Sequence, residues 1–176
     1  MNHTHILETV TTMLSAAAVA ENGAGVIYEG RKTTYRELDD LSRRAAAGLA
    51  SLGIGLGDRV AFWLPNTPAY LVLYFACVRL GAVAVAVNTR FRAGEVEDVL
   101  GRTGAKALIM WPGFRGIDFP GILEEVDRAA LARLEVAILY AEDGKSPSVL
   151  PGVARTVGYE SLFDAGTHEE DASKAK

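Results

Sequence analysis

The spacing of apolar residues changes character several times along the chain. His5 to Ala20 carries Ile6, Val10, Met13, Leu14 and Ala17 at helical intervals, and Asn22-Gly23 ends that run. Val26-Ile27-Tyr28 and Thr33-Thr34, separated by Glu29-Gly30-Arg31-Lys32, read as a short hairpin. Thr34-Tyr35-Arg36-Glu37 then fits a capping box, in which a threonine hydroxyl accepts from the amide three residues on and the glutamate reaches back. The helix that follows places Leu38, Leu41, Ala45, Leu49 and Leu52 on one stripe. Arg36, Asp39, Asp40, Arg43 and Arg44 fall on the side expected to meet solvent. Gly53 is its natural stop.

From Arg59 onward the period is that of buried strands. Val60–Leu64, Val83–Val87, Ala107–Trp111 and Val136–Tyr140 are short continuous apolar runs, as expected of strands covered on both faces. Helical stretches separate them: Pro68 to Leu80, entered through Pro65-Asn66-Thr67; Glu95 to Thr103, closed by Gly104; and Gly121 to Leu134, with Ile122, Val126, Ala129 and Ala130 inward. Strands alternating with helices of this size imply parallel pairing. The expected fold class is therefore α/β, a doubly wound, mostly parallel sheet with flanking helices, preceded by an N-terminal helix and β-hairpin. After Tyr140, Glu142–Pro151 is loop-like and Gly158–Phe163 suits one or two helical turns. The expected domain is 1–165, with 166–176 a polar, flexible tail.

Composition narrows the function classes. The chain has 176 residues, 49% hydrophobic and 23% charged, with a formal charge of −4. That balance suits one globular domain and gives no basic excess for nucleic acid or an anionic membrane. Ala69–Val87 imitates a membrane span in length, but Arg79 would stand near its middle at a cost of at least ~2.5 kcal/mol. A buried helix plus a strand is the better reading. The single cysteine, Cys77, cannot build a disulfide framework or zinc cage, and no leader pattern stands at the N-terminus, so a cytoplasmic location is expected.

Several motifs tempt and do not hold. Gly53-Ile54-Gly55-Leu56-Gly57 lies between a helix and a strand, the reverse of the order a dinucleotide fingerprint needs. Gly101-Arg102-Thr103-Gly104-Ala105-Lys106 lacks the spacing of a phosphate loop. His3, His5 and His168 lie in terminal segments without neighbouring ligands. Glu124-Glu125 and Glu169-Glu170-Asp171 read as solvated acids. Asn88-Thr89-Arg90 is different, because it follows the C-terminal end of a parallel strand, the edge where ligands bind in open sheets. A guanidinium there suits a phosphate. A loop arginine pairing with Glu95 or Glu97 is the other reading, and the sequence leaves both open.

Four stretches together resemble the adenylate-forming superfamily, the AMP-dependent synthetases and ligases that include acyl-CoA synthetases. Thr33-Thr34-Tyr35-Arg36-Glu37-Leu38 resembles its first core motif. Leu52–Ala61 is similar to its "LGV…GDRVA" stretch, and Leu64-Pro65-Asn66-Thr67-Pro68 to its "LPNSPE" turn. Arg79–Asn88 resembles its second core motif, with Ala86 where the family usually has proline. The likeness runs from about residue 10 to 165.

The resemblance implies the N-terminal part of an AMP-forming acyl- or aryl-CoA ligase. Such an enzyme joins a carboxylate to ATP as an acyl-adenylate and then forms a thioester with CoA. ATP, magnesium and CoA are implied for the complete enzyme, and none is expected to bind this chain tightly. The Ser/Thr/Gly-rich loop ending in Lys, the ribose-binding Asp, the magnesium-holding acid and the C-terminal lysine of the family are not in this sequence. No catalytic or metal-binding residue can therefore be assigned, and the chain is expected to be inactive alone. Of the family's functional positions, only the arginine after the second motif carries over, making Arg90 a candidate contact for a CoA phosphate.

The implied partners are the remainder of the ligase, in cis or trans, and a small carboxylic acid for the complete enzyme. An exposed apolar face would favour self-association. A non-catalytic nucleotide- or CoA-binding module and the interaction half of a split ligase are the rival expectations.

Overall fold

The computed structural model describes residues 3–20, 23–142, 149–150 and 152–164, the first seven without side-chain placement. The expected tail 166–176, His168 and the acids at 169–171 lie outside the described residues, as do the side chains of His3 and His5. The elements are α1 (His3–Val19), β1 (Gly25–Tyr28), β2 (Arg31–Thr34), α2 (Tyr35–Ser51), β3 (Arg59–Trp63) and α3 (Pro68–Leu80). They continue with β4 (Val83–Ala86), α4 (Ala93–Thr103), β5 (Ala107–Met110), α5 (Phe119–Glu124), β6 (Val136–Leu139) and β7 (Arg155–Gly158). Short 3-10 turns occupy Phe114–Gly116 and Tyr159–Phe163. The chain forms two compact units, one of α1, the β1–β2 hairpin, α2 and α3, the other of β3 to β7 with α4 and α5.

In the helical unit, α2 starts where the sequence says it should. The Glu37 amide donates to the Thr34 hydroxyl at 3.2 Å, and the Thr34 amide to the Glu37 carboxylate at 2.8 Å. That closes the capping box and holds the Glu37 carboxyl below its ordinary pKa, chiefly through the Thr34 backbone amide. At the other end the Gly53 amide donates to Ala50 and the Ile54 amide to Leu49, with Gly53 at φ +83°. Only a residue tolerant of left-handed geometry makes this paired cap cheaply. Leu38, Ala45 and Leu49 are buried as expected.

Three expectations in this unit need correction or addition. Met13 is 63% exposed, so the buried edge of α1 runs through Leu14 instead. Asp39, placed on the solvated side by its phase, is buried. Its carboxylate accepts from Arg43 Nη2 at 2.6 Å, from the Ser15 hydroxyl at 3.0 Å and from Arg79 of α3. Arg79 also donates to the Ser42 hydroxyl at 3.0 Å. Burial pushes the Asp39 pKa up, but the hydrogen bonds from Arg43 and Ser15 and the charges of Arg79 and Arg43 outweigh it, leaving the carboxyl below its ordinary value. The arginine that argued against a membrane span is thus the partner of a buried acid. Among the described residues, no helix is long and apolar enough to cross a membrane.

One further close approach belongs to this unit. A Cβ on Gly48 would lie 2.3 Å from the Leu162 carbonyl oxygen, so α2 admits the 3-10 turn there only because position 48 has no side chain. Arg44 donates to the Phe163 carbonyl at 3.2 Å and its guanidinium lies 5.2 Å from the Phe163 ring centroid.

The second unit is a five-stranded sheet in the order β4-β3-β5-β6-β7, parallel throughout. The α/β class and parallel pairing expected from the sequence are the observed ones. All residues of β5 and β6 are buried, as are Val60, Ala61, Phe62 and Trp63 of β3. Leu108, Met110, Ala137 and Leu139 pack with Val96 and Leu100 of α4 and Phe119 and Leu123 of α5.

Three features of the sheet unit differ from the reading of the sequence. β4, expected to be covered on both faces, is an edge strand, with Val83 48% exposed and Ala86 exposed. It has only β3 to pair with, so half its surface has no neighbouring strand. The long helix expected over Gly121–Leu134 is the six-residue α5 followed by turns. Asp127 explains the break: its amide donates to Glu97 at 3.0 Å and its carboxylate accepts from the Ala129 amide at 2.7 Å, replacing helical bonds with a local turn. Ala129 is exposed, and Leu123, Val126, Leu131 and Leu134 are the buried residues. Finally, β7 completes the sheet in a stretch to which the sequence assigned no strand. Its register, Val136↔Arg155 to Leu139↔Gly158, comes from pairing with β6 and not from any apolar pattern of its own.

Candidate functional site

The residues after β4, Asn88-Thr89-Arg90, are the ones the sequence singled out as a candidate ligand contact. Val87 is buried and its amide donates to Phe62, extending the β3–β4 ladder by one bond. The chain then turns. Asn88 Oδ1 accepts from the Arg90 amide at 2.9 Å, and the Asn88 carbonyl accepts from the Phe91 amide at 3.0 Å. The side chain of Asn88 thus does what a backbone carbonyl would do in a turn. Trp63 of β3 pins the same carbonyl from below, its Nε1 donating at 3.1 Å. Trp63 is fully buried and stands edge-to-face with Phe119 at 4.7 Å, so the turn is anchored to the rigid centre of the sheet.

Arg90 leaves this turn exposed to solvent. The pairing with Glu95 or Glu97 that the sequence left open does not form. Glu95 accepts from the Arg92 amide at 3.0 Å, which caps α4 and holds the Glu95 carboxyl below its ordinary pKa. Glu97 accepts from the Asp127 amide. Arg92 folds back, its Nη1 donating to the carbonyls of Arg90 and Phe91 at 3.1 Å each. Arg59 ties the far end of α4 to the sheet, donating to the Thr103 carbonyl at 2.9 Å and the Gly104 carbonyl at 3.3 Å. The result is a fixed turn at the C-terminal end of an edge strand, presenting one guanidinium. Such an arrangement has the charge and geometry to contact a phosphate.

The sheet order puts the topological switch elsewhere. From β3 the chain goes first to β4 on one side and then, through α4, to β5 on the other. The switch therefore lies between β3 and β5, and the residue leaving β5 is Trp111. Trp111, Tyr140 and Tyr159 each follow the last residue of β5, β6 and β7, and those last residues, Met110, Leu139 and Gly158, are register partners. Trp111 lies 5.3 Å from Tyr140, and Tyr140 5.4 Å from Tyr159, both edge-to-face. Burial pushes the Tyr159 hydroxyl far above its ordinary pKa, so it stays protonated. The sequence reading did not single these residues out. The available signal was an aromatic directly after an apolar strand, at Trp111 and Tyr140, but their alignment depends on register.

The other motifs take the structural roles expected of them. Lys106 pairs with Asp58 at 3.1 Å and Arg102 with Asp98 at 2.6 Å, so the Gly101–Lys106 segment is a helix end followed by a strand. Cys77 is buried in α3 and its thiol is pushed up to about 12 by burial, which makes it unreactive. Among the described residues no group of three or more His, Cys, Asp or Glu is placed to hold a metal ion.

Comparison with known proteins gives the class. The AMP-binding enzyme family model matches residues 14–171, and the chain belongs to that family. Among curated relatives, it is 42% identical over 78 residues to the long-chain-fatty-acid–CoA ligase FadD13 of Mycobacterium tuberculosis, covering 44% of this chain and 16% of that protein. It is 35% identical over 126 residues to the mitochondrial medium-chain acyl-CoA ligase ACSF2 of Macaca fascicularis, covering 69% of this chain and 20% of that protein. The chain therefore spans about a fifth or less of the length of these relatives. Its fold is similar to part of a coronafacic acid ligase from Pectobacterium brasiliense, with a TM-score of 0.70 at 20% identity over 88% of this chain and 29% of that one. The anthranilate CoA ligase AuaEII is similar in fold, with a TM-score of 0.68 at 21% identity over 88% of this chain and 26% of the other.

Proposed function

We propose that this chain is the N-terminal part of an AMP-forming acyl- or aryl-CoA ligase and is inactive without the remainder of that enzyme. The observation that carries the reading is the family match across residues 14–171. In the proposed reaction a carboxylate oxygen attacks the α-phosphorus of ATP, pyrophosphate leaves, and an acyl-adenylate forms. The thiol of CoA then attacks the acyl carbon and AMP leaves. The first step concentrates negative charge at the phosphates, which needs fixed donors or cations aimed at it. No Ser/Thr/Gly-rich loop ending in Lys occurs in the 176 residues. Among the described residues no three His, Cys, Asp or Glu side chains cluster, and this reading assigns no residue of the chain to hold magnesium.

What the chain contributes, on this reading, is a framework and one binding contact. Residues 1–165 act as a subdomain of the AMP-binding domain. Arg90, exposed and free of both neighbouring glutamates, offers its guanidinium to a CoA phosphate at the rim of the sheet. The work is done in the cytoplasm on a small carboxylic acid whose pocket the remainder supplies.

The test has two parts. The purified chain should release no pyrophosphate from ATP with any carboxylic acid, and turnover, with full-length enzyme excluded, refutes the claim of inactivity. Arg90→Ala, in the ligase reconstituted from this chain and its remainder, should raise the KM for CoA about tenfold and leave pyrophosphate release unchanged, the cost of one charge-assisted contact. An unchanged KM removes Arg90 from the CoA site.

A further inference from the structure

We propose that the free edge of β4 pairs with the same edge of a second copy of this chain. The two strands run antiparallel about a two-fold axis that sets Val85 opposite its own copy, and the two sheets join into one. The inference concerns the sheet alone and does not rest on the ligase reading. Bond direction, side-chain type and self-matching each point to it.

Bond direction comes first. The backbone groups of successive strand residues alternate between the two edges of the strand. The Val83 amide donates to Asp58 at 2.8 Å and the Val87 amide to Phe62 at 2.9 Å, and the register with β3 sets Val85 opposite Ala61 between them. Val83, Val85 and Val87 are therefore bonded to β3, and the amides and carbonyls of Ala84 and Ala86 point away from it. β4 stands at the end of the sheet order, so among the described residues no strand lies on that side.

Side-chain type comes second. An exposed sheet edge ordinarily carries a charge, a proline or a bulge that keeps other strands off. Gly81 to Val87 reads Gly-Ala-Val-Ala-Val-Ala-Val, without charge or proline, and the register with β3 runs unbroken from Val83 to Ala86. Val83 is 48% exposed and Ala86 is exposed, so the edge is open to a neighbour. The chain is uncharged between Arg79 and Arg90, and two copies can approach along the strand without like charges opposing them.

Self-matching selects the second copy as the occupant. With Val85 opposite its own copy, Ala84 faces Ala86 of the second copy, and Ala86 faces its Ala84. Both are outward-bonding positions, so each pair exchanges both of its hydrogen bonds and no outward group of Ala84 or Ala86 is left over. Val85 and its copy then form a non-hydrogen-bonded pair, with Cα atoms about 4.5 Å apart and the valine side chains in contact. A foreign strand would have to bring a matching uncharged segment, and the second copy brings one by symmetry. One short strand pair buries little beside the roughly 1,000 Å² of a stable interface, so the dimer is weak and reversible.

The full chain is followed by sedimentation velocity up to about 1 mM, which reaches the weak end of specific association. A concentration-dependent dimer is expected. Ala86→Pro deletes an amide that β3 does not use and should weaken dimerisation about tenfold or more, because each copy loses one bond to the other. Register is read with introduced thiols, since Cys77 is buried with its thiol pushed up to about 12 and does not compete. Under oxidised glutathione, Val85→Cys should give a disulfide-linked dimer, its Cα standing within disulfide reach of its own copy. Val83→Cys, at the more exposed position, should link at least about tenfold more slowly, because four residues at about 3.4 Å each separate it from its copy. A chain that is monomeric at every concentration overturns the proposal. So does wild-type dimerisation in an Ala86→Pro protein shown by circular dichroism to be folded, which puts the contact on another surface. A Val83→Cys protein that links as fast as Val85→Cys overturns it too, since random collision then explains the disulfide. Should Ala86→Pro not fold, the two cysteine variants decide.

Discussion

The two units of this chain solve the problem of burial in opposite ways. Among the described residues, every buried polar side chain, Asp39, Ser42 and Thr67, belongs to the helical unit. The sheet unit buries apolar side chains only, with Trp63, Phe62, Phe119 and Ile138 among the largest. The difference follows from how each architecture spends its backbone hydrogen bonds. Parallel strands satisfy one another's amides and carbonyls, so their side chains can be wholly apolar and fit by volume. Helices satisfy themselves, so nothing in their backbones fixes how two of them cross. In this unit a buried carboxylate with arginines from α2 and α3 supplies that direction, as a hydrogen-bonded pair can when apolar packing alone leaves alternatives.

This contrast can be broken from either side. The largest effect is expected in the sheet unit. Trp63→Ala removes a fully buried indole and the N–H that holds the Asn88 carbonyl, and should cost about 4 kcal/mol in denaturant unfolding. A loss below about 1 kcal/mol would mean the sheet core is not packed as described.

Next comes Asp39→Ala in the helical unit. It leaves Arg79, whose side chain is 15% exposed, without its carboxylate, and should cost about 3 kcal/mol. Asp39→Leu combined with Arg79→Met should recover most of that loss, because both charges are gone. If the double variant is as unstable as the single one, the pair is not what relates α2 to α3. The same group gives a pH test. Its pKa is lower in the folded chain than in the unfolded one, where a free aspartate titrates near about 3.9. Its contribution is therefore complete above that value and is lost as pH falls through the lower folded value. Wild type should lose stability in acid over that window, and Asp39→Ala should lose less. Parallel acid profiles would exclude Asp39 as the cause.

The smallest of the three is Gly48→Ala. The added methyl meets the backbone of Leu162 and not a movable side-chain end, so about 2 kcal/mol is expected, with looser hydrogen exchange at residues 162–164. An unchanged exchange pattern would show that the turn does not need this close approach.

How much was readable beforehand depends on the range over which each feature is decided. The capping box at Thr34–Glu37, the stop at Gly53 and the entry at Thr67-Pro68 are local, and each formed as read. The three central strands were legible because burial on both faces demands unbroken apolar runs. β7 was not, because Arg155-Thr156-Val157-Gly158 has no such run and is a strand only because β6 offers it an edge. Asp39 was misplaced because helical phase gives a direction but not what lies there, and Arg79, forty residues away, makes burial tolerable. Arg90 was legible as the residue past a strand end. That its strand lies at the rim, one place away from the switch, was not.

By itself, the sequence determined the α/β class, the order of the elements up to β6, the caps of α2 and α3 and the family, since all of these rest on short-range periodicity, backbone preference and motif order. Tertiary structure alone decided which strand is the edge, which acid is buried, and which aromatics stand in a row. Each of those depends on register and strand order, which bring distant residues within a few ångströms through hydrogen bonds that carry no side-chain signature.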